Sequence, residues 1–412
     1  MIIAHIIEQH AEEAAFLWLL RTAAIHQPHY DLDDLAELDN RVEAHLDGLR
    51  IAGDDGWAIA KAALSLEEPG EVFTAAVLAF ERTELEAIEP VLTTALTQAE
   101  LTQALVSALG WLSVEHLKFA LKPLLNTTSA QYRYLGIAAY ALQRTDPGPH
   151  LEAAIVDESI PLCSRALRAV GELGRYDLLP KLQHYYHAEV EAIRFWAAWS
   201  AVLLGERQYA LTVLKACSLP PAAVHLTALN LWLRCAQHHE AIQWLKHIAQ
   251  NPKWTRLLII AIGILGDPLF MPWVIQHMTH PQWARIAGET FSFITGVDLE
   301  EHDLTTEAPE DVELGPSEDP EDDNVALDAD DDLPWPNPAL VHAWWQQHHH
   351  HYQTKSRYLL GKTITLQHCQ QILISGLQRQ RHAAALELAL MQPQQALFET
   401  RAVGSRQQRL LK

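Results

Sequence analysis

Cysteine is scarce in this 412-residue chain, which contains four: Cys163, Cys217, Cys235 and Cys369. They are widely spaced, and no two form a CxxC pair. Disulfide scaffolds and zinc knuckles need closely spaced, paired cysteines. The sequence therefore supports neither kind of site.

Basic residues are also few. The chain has 30 Lys and Arg against 52 Asp and Glu, which gives a formal charge of −22 at pH 7. Nucleic-acid binders gain much of their affinity from basic side chains that neutralise phosphates. We therefore expect no nucleic-acid partner.

Long uninterrupted apolar runs are missing as well. The most apolar stretch, Leu257 to Ile275, is broken by Asp267 and Pro268. It leaves only about ten continuous apolar residues where a membrane span needs roughly twenty. The N-terminal twenty residues contain several charges and no basic n-region or cleavage site, which argues against a signal peptide. We expect a cytoplasmic protein without membrane insertion.

Catalytic motifs are absent too: neither HExxH nor GxSxG occurs. The tripeptide Gly361-Lys362-Thr363 resembles part of a phosphate-binding loop, but Ser356 occupies the position of the first glycine. We predict instead a turn before a helix capped near Thr365. We assign no catalytic residues, no metal ligands and no cofactor, and we expect a protein that is not an enzyme.

The chain does contain an internal repeat. A Leu-Gly pair or a close equivalent recurs at spacings of 64, 31, 61 and 30 residues, with the longer gaps close to two periods. The five copies are Leu109-Gly110, Leu173-Gly174, Leu204-Gly205, Leu265-Gly266 and Thr295-Gly296. Degenerate copies at Leu142-Gln143 and Arg234-Cys235 fill the long gaps, so the period is close to 31 residues.

Each repeat has the same internal order. An Arg lies early in the first helix, Ala and Leu follow at helical spacing, and the Gly ends the helix before a second one begins. Such pairs cannot bury their apolar faces alone and must stack on their neighbours. The pattern resembles short HEAT-like repeats. It implies an all-α fold, a right-handed superhelical solenoid of HEAT-like helix pairs with helical caps.

Composition divides the chain into four segments. Residues 1–60 are predicted to form an N-terminal helical cap and residues 61–297 the repeat solenoid. Residues 298–332 contain 17 Asp or Glu and no Lys or Arg, so we predict an acidic disordered linker. Residues 333–412 are predicted to form a C-terminal helical unit with a basic tail. The linker is either a simple soluble tether or a segment that folds back on that tail.

The chain ends resemble one bacterial protein family. The resemblance rests on HAEEAAFLWLLR (His10 to Arg21), on LAELDNRVEAHLDGLRIAG (Leu35 to Gly53), on LPWPNP, and on three blocks between Arg357 and Ala402. The family consists of HEAT-repeat proteins of unassigned biochemistry that are often encoded with type VI secretion system components. The resemblance covers essentially the whole chain except the acidic segment. It implies a secretion-associated interaction protein, and it carries no catalytic residues.

One basic or imidazole side chain recurs in each of four successive repeats. His184, Lys215, His247 and His277 are spaced by 31, 32 and 30 residues, and each follows its Gly-equivalent by ten to twelve residues. This places them on second helices, which usually line the concave face of HEAT-like stacks. A ladder of nitrogen donors suits an acidic or extended peptide. The alternative is ordinary polar exposure in a chain with 23 His.

Aromatic residues of the C-terminal unit form a second candidate binding site. Trp335, Trp344 and Trp345 are of the type that often anchors a partner. The alternative is that they dock this unit onto the repeats. The nearby run His348 to His351 could bind a metal ion, although consecutive residues on a helix point in different directions.

Together these features predict a non-catalytic protein–protein interaction scaffold or adaptor that serves type VI secretion by binding a component or cargo protein. The alternative is a helical-repeat enzyme with a metal site near the His-rich C-terminal helix.

Overall fold

The computed structural model describes residues 4–309 and 330–412, without the side chains of residues 114, 115 and 117–120. Among the described residues it contains 22 α-helices and one two-stranded hairpin. The predicted all-α fold class is confirmed.

The chain forms two compact units. The first comprises Met1–Val213 together with Gln371–Lys412, and the second comprises Leu214–Gln370. This division separates the two parts of residues 333–412, which we predicted to form one C-terminal unit. The last 42 residues belong to the first unit.

The helices up to the first unit boundary are α1 Ala4–Ala24, α2 Leu32–Ile51, α3 Asp54–Ala63, α4 Pro69–Arg82, α5 Leu85–Ala95, α6 Ala99–Trp111, α7 Val114–Leu125, α8 Ala130–Leu142, α9 Pro149–Ile155, α10 Ile160–Glu172, α11 Leu179–Leu182, α12 Glu191–Leu203 and α13 Tyr209–Ala216. Short 3₁₀ helices cover Leu64–Leu66, Tyr176–Leu178 and Gln183–Tyr185.

The remaining elements are α14 His225–Cys235, α15 His238–Ile248, α16 Thr255–Leu265, α17 Met271–His277, α18 Pro281–Thr295, α19 Pro338–His348, β1 Tyr358–Leu359, β2 Lys362–Thr363, α20 Leu366–Ser375, α21 Gln378–Met391 and α22 Gly404–Leu410. Further 3₁₀ helices cover Pro252–Trp254, Pro268–Phe270 and His349–His351.

Within each unit, alternate helices pack against each other in chain order. In the first unit α4 contacts α6, α6 contacts α8, α8 contacts α10 and α10 contacts α12. In the second unit α14 contacts α16, and α16 contacts α18. These first helices of each pair are apolar on several sides; in α4, Val72 to Phe80 are all buried. They therefore form the central layer of their unit, as the apolar repeat pattern predicts.

The N-terminal helices agree with the sequence pattern. Residues 1–60, predicted to form a helical cap, contain α1, α2 and most of α3. Asp31 caps α2 by accepting hydrogen bonds from the backbone N–H groups of Asp33 and Asp34, so the short polar side chain fixes where this helix begins.

Four of the five repeat glycines end a helix with a left-handed backbone: Gly174, Gly205, Gly266 and Gly296 have φ of 67°, 99°, 72° and 73°. Gly110 was predicted to end its helix, and that prediction is wrong because α6 continues through it to Trp111. At Gly266 the chain also approaches closely. A Cβ there would lie 2.5 Å from the carbonyl oxygen of Tyr358.

The flanks of the predicted acidic linker are ordered rather than disordered. Leu299 and Leu304 are buried, the backbone N–H of Thr306 donates to Trp335 O, and that of Asn337 donates to Leu304 O. The buried Asp330 accepts two hydrogen bonds of 2.6 Å from Arg256. Apolar anchors and one paired carboxylate therefore outweigh the charge repulsion at both ends. Residues 310–329, on which the rest of the prediction falls, lie outside the described residues.

Candidate partner-binding surface

The four ladder residues occupy equivalent places in their helix pairs. His184 lies in the 3₁₀ turn that follows α11, Lys215 and His247 lie in the last turns of α13 and α15, and His277 is the last residue of α17. His184 belongs to the first unit and the other three belong to the second. The predicted placement on second helices is therefore observed, at the C-terminal end of each.

Three of these side chains are exposed, and His277 is half-buried. The Lys215 ammonium lies 5.4 Å from the centre of the Trp232 ring, a cation–π distance. The centroid of the His277 ring lies 3.8 Å from that of the Trp273 ring, and Nδ1–H of His277 donates to the Trp273 carbonyl oxygen at 2.9 Å. Aromatic neighbours thus orient two ladder nitrogens, and Nε2 of His277 is left for another contact.

A cleft lies beside the helix pair that carries His184. Its volume is about 500 Å³. Its lining includes Tyr176, Leu179, Glu206 and the chain from Gln392 to Gln395. The carboxylate of Glu206 accepts backbone hydrogen bonds at the start of α13, so its position is fixed. The glutamine amides and the carboxylate among apolar side chains suit a polar or extended chain.

The three tryptophans of the second candidate site are engaged within the second unit. Trp345 is buried, and both Trp344 and Trp345 contact the Phe291 ring of α18 edge-on. The half-buried Trp335 lies over the guanidinium of Arg285 at 4.8 Å. These contacts favour the docking alternative, because they attach α19 and its leading segment to the helices of this unit.

A bracing segment, residues 352–363, crosses the ends of the first helices in the second unit. The guanidinium of Arg357 donates to the carbonyl oxygens of Arg234 and Leu265, at the ends of α14 and α16. Tyr358 N–H donates to Gly266 O, and Leu360 N–H donates to Phe293 O. Side-chain and backbone donors of one segment therefore satisfy carbonyls that helix ends leave without partners.

The hairpin within this segment explains the Gly-Lys-Thr tripeptide. Leu360 and Gly361 have positive φ and connect β1 to β2, and the side chain of Thr365 accepts from His368 N–H at the start of α20. The predicted turn and helix cap are confirmed.

Asp267 connects several segments of the same region, and we did not predict this role from the sequence. Its buried carboxylate accepts from Nε2 of His238 at 2.6 Å and from the backbone N–H of Leu269 at 2.9 Å. It also accepts from the backbone N–H of Lys355. The only signal in the sequence was the turn Gly266-Asp267-Pro268, which indicates a cap but not the distant partners.

In the first unit, buried ion pairs attach the C-terminal tail. Glu172 of α10 pairs with Arg165 at 2.9 Å and with Arg168 at 2.8 Å. Glu399 of the tail pairs with Arg401 at 2.8 Å and with Arg144, at the end of α8, at 3.2 Å. The nearby arginines lower the pKa of Glu172 to about 2 and hold the pKa of Glu399 well below its usual range, against the opposing effect of burial.

The histidine run lies at the end of α19 and in the 3₁₀ helix that follows it. Nδ1–H of His348 donates to Trp344 O, and Nδ1–H of His349 donates to Gln346 O. In the described part of the chain, no group of three or more His, Cys, Asp or Glu side chains is placed to hold a metal ion.

Comparison of the chain with protein-family models, with curated proteins and with solved structures found no significant match. Among the described residues, no helix is both long and apolar enough to cross a bilayer.

Proposed function

We propose that this protein is a non-catalytic protein–protein interaction scaffold or adaptor of the cytoplasm. It would bind its partner through the ladder of His184, Lys215, His247 and His277. The observation that carries the proposal is the repeated position of these side chains, each at the C-terminal end of a second helix and three of them exposed. A repeated donor at a repeated structural position suits an extended ligand that makes one contact per repeat.

The finer architecture belongs to the same proposal. Alternate helices that pack in chain order within each unit are consistent with stacked HEAT-like repeats. In a right-handed superhelical solenoid, the second helices would line the concave face, and the ladder would run along it. The ligand would then be an acidic peptide segment, because the ladder offers hydrogen-bond donors and, at Lys215, a positive charge.

The connection to type VI secretion rests on the resemblance of the chain ends to a family often encoded with that system. We propose that the partner is a component or a cargo protein of such a system. The low affinity of any single exposed contact would be offset by four contacts acting together.

The proposal is tested by affinity capture from the native host, followed by mass spectrometry. The ladder variant changes His184, Lys215, His247 and His277 to Ala. The matched control changes His187, Lys246 and His280 to Ala, which removes exposed residues of the same types within three positions of ladder sites. We expect the ladder variant to lose a partner that the wild type and the control both retain.

Equal retention by all three proteins would contradict the ladder proposal. Circular dichroism of the purified variants shows whether any loss reflects misfolding instead.

A further inference from the structure

A histidine pair joins the first two helices and is used by none of the features described above. Nδ1 of His10, on α1, lies 3.2 Å from Nδ1 of His45, on α2. The ring centroids are 5.1 Å apart and the ring planes meet at 65°. Both side chains are half-buried. Because two facing N–H groups would repel each other, at least one Nδ1 presents a lone pair to the other.

This separation matches the spacing of two nitrogens on one metal ion. Imidazole nitrogens bound at 2.0–2.1 Å to a tetrahedral or octahedral ion lie about 2.9–3.4 Å apart. Their ring centroids then lie about 4.5–5.2 Å apart, whereas an in-line hydrogen bond of the observed length would separate the centroids by about 5.5 Å. The observed 5.1 Å falls within the range for a shared ion.

The absence of a side chain at Gly48 makes room for this arrangement. A Cβ there would lie 2.6 Å from Cδ2 and 2.7 Å from Nε2 of His10. The His10 ring therefore packs directly on the backbone of α2, one turn from His45. The helix accepts a glycine at this position, although glycine costs about 1 kcal/mol relative to alanine in a helix interior.

Both rings are half-buried, so water can reach the remaining coordination positions of an ion held between them.

We propose that His10 and His45 chelate one divalent late transition-metal ion, of the class of Zn²⁺, Ni²⁺ or Cu²⁺, with water completing its coordination. Imidazole ligands favour these ions over Mg²⁺ and Ca²⁺, which prefer oxygen. The ion bridges α1 and α2 and would clamp the two N-terminal helices together. The site is distinct from the His-rich run of the C-terminal helix.

The test is a titration of the untagged full-length protein with Zn²⁺ alone, followed by calorimetry. The variants are His10→Ala and His45→Ala, and the control is His5→Ala, which removes an exposed histidine of the same helix. All variants keep His348 to His351, so binding by that run is constant. We expect one equivalent of zinc to bind at least about tenfold more weakly in both ligand variants than in the control.

Two further measurements separate chelation from a structural hydrogen bond. Zinc should raise the Tm of the wild type and of the control by more than that of His10→Ala or His45→Ala, because a ligand that binds the folded state stabilises it and these two variants lack one ligand of the site. Gly48→Ala should weaken zinc binding without removing a ligand, since it displaces the His10 ring. Circular dichroism in EDTA shows whether each variant is folded.

An identical zinc isotherm for the folded His10→Ala and His45→Ala variants and for the wild type would overturn the proposal. So would a zinc-induced rise in Tm that is as large in both ligand variants as in the wild type.

Discussion

Two buried carboxylates are the ionised side chains that we expect to contribute most to the stability of the first unit. Glu172 and Glu399 are almost completely buried, yet both are held in the charged form by arginines at 2.8–3.2 Å. Removing one member of such a group leaves charges in the interior without their partner, which costs much more than losing an exposed ion pair.

Glu172→Gln is therefore expected to destabilise the protein by about 3–5 kcal/mol, because Arg165 and Arg168 lose their negative partner. Asp177→Asn is the matched control. Its exposed carboxylate pairs with Arg175, and its loss should cost no more than about 1 kcal/mol. Urea denaturation of the wild type and both variants measures the difference. Equal losses of stability in the two variants would show that the buried ion pairs of Glu172 stabilise the protein no more than the exposed pair of Asp177.

The pH dependence of stability follows from the same group. The pKa of Glu172 falls from 4.5 to about 2 on folding, so the stabilisation is fully present above pH 4.5. It is lost as the pH falls from about 4.5 to about 2, because the carboxylate must then be protonated in the folded state as well. Unfolding measured between about pH 7 and pH 2 should show this loss in the wild type. Glu172→Gln should show a shallower dependence, and parallel curves would contradict the assignment.

For individual residues, the sequence indicated the positions of the ladder side chains but not the partners of the buried carboxylates. The ladder residues do lie on second helices, since a 31-residue period indicates equivalent positions. The contacts between Glu172 and its arginines were not predicted, and neither was the link between Arg144 and Glu399. Amphipathic periodicity indicates which residues are buried, but it contains no information on which distant segment covers them.

Among the elements, the helix ends were the most predictable. The turn before α20 and the cap at Thr365 were predicted, because turn and capping residues are local signals. The bracing segment and the C-terminal tail were not predicted, since their partners are helix-terminal carbonyls far away in the sequence. The repeat glycines gave a partial signal: several lie where a later segment passes close to a helix end.

Gly266→Ala tests that close approach. Its φ of 72° predicts backbone strain, and the Tyr358 carbonyl oxygen, 2.5 Å from where a Cβ would lie, predicts a clash. Gly205→Ala is the control, because Gly205 has a φ of 99° and the nearest atom to such a Cβ, in Pro393, lies at an ordinary contact distance of 3.6 Å. We expect a loss of about 1 kcal/mol for Gly205→Ala and roughly twice that or more for Gly266→Ala.

Thermal unfolding of the two glycine variants beside the wild type provides the measurement. A similar Tm for both variants would mean that position 266 requires glycine only for its backbone conformation. It would also mean that the bracing segment can move away from an added Cβ without lowering the stability of the protein.

For the whole molecule, the all-α fold class was predictable and the division into units was not. The sequence placed one boundary at the acidic segment, whereas residues 371–412 pack with the first unit. The net charge of the acidic segment predicted disorder, but its described flanks are fixed by Leu299, Leu304 and Asp330. Long-range packing of this kind leaves no periodic signal in the chain.

We propose that one side chain per repeat contributes to one extended contact. The most direct test measures the dissociation constant of the captured partner for the wild type, for each single ladder substitution, for the complete ladder variant and for the His187, Lys246 and His280 control. We predict a modest weakening of binding for each single change, a loss of affinity of at least about a hundredfold for the complete variant and no change for the control. A complete ladder variant that binds as tightly as the control would contradict it.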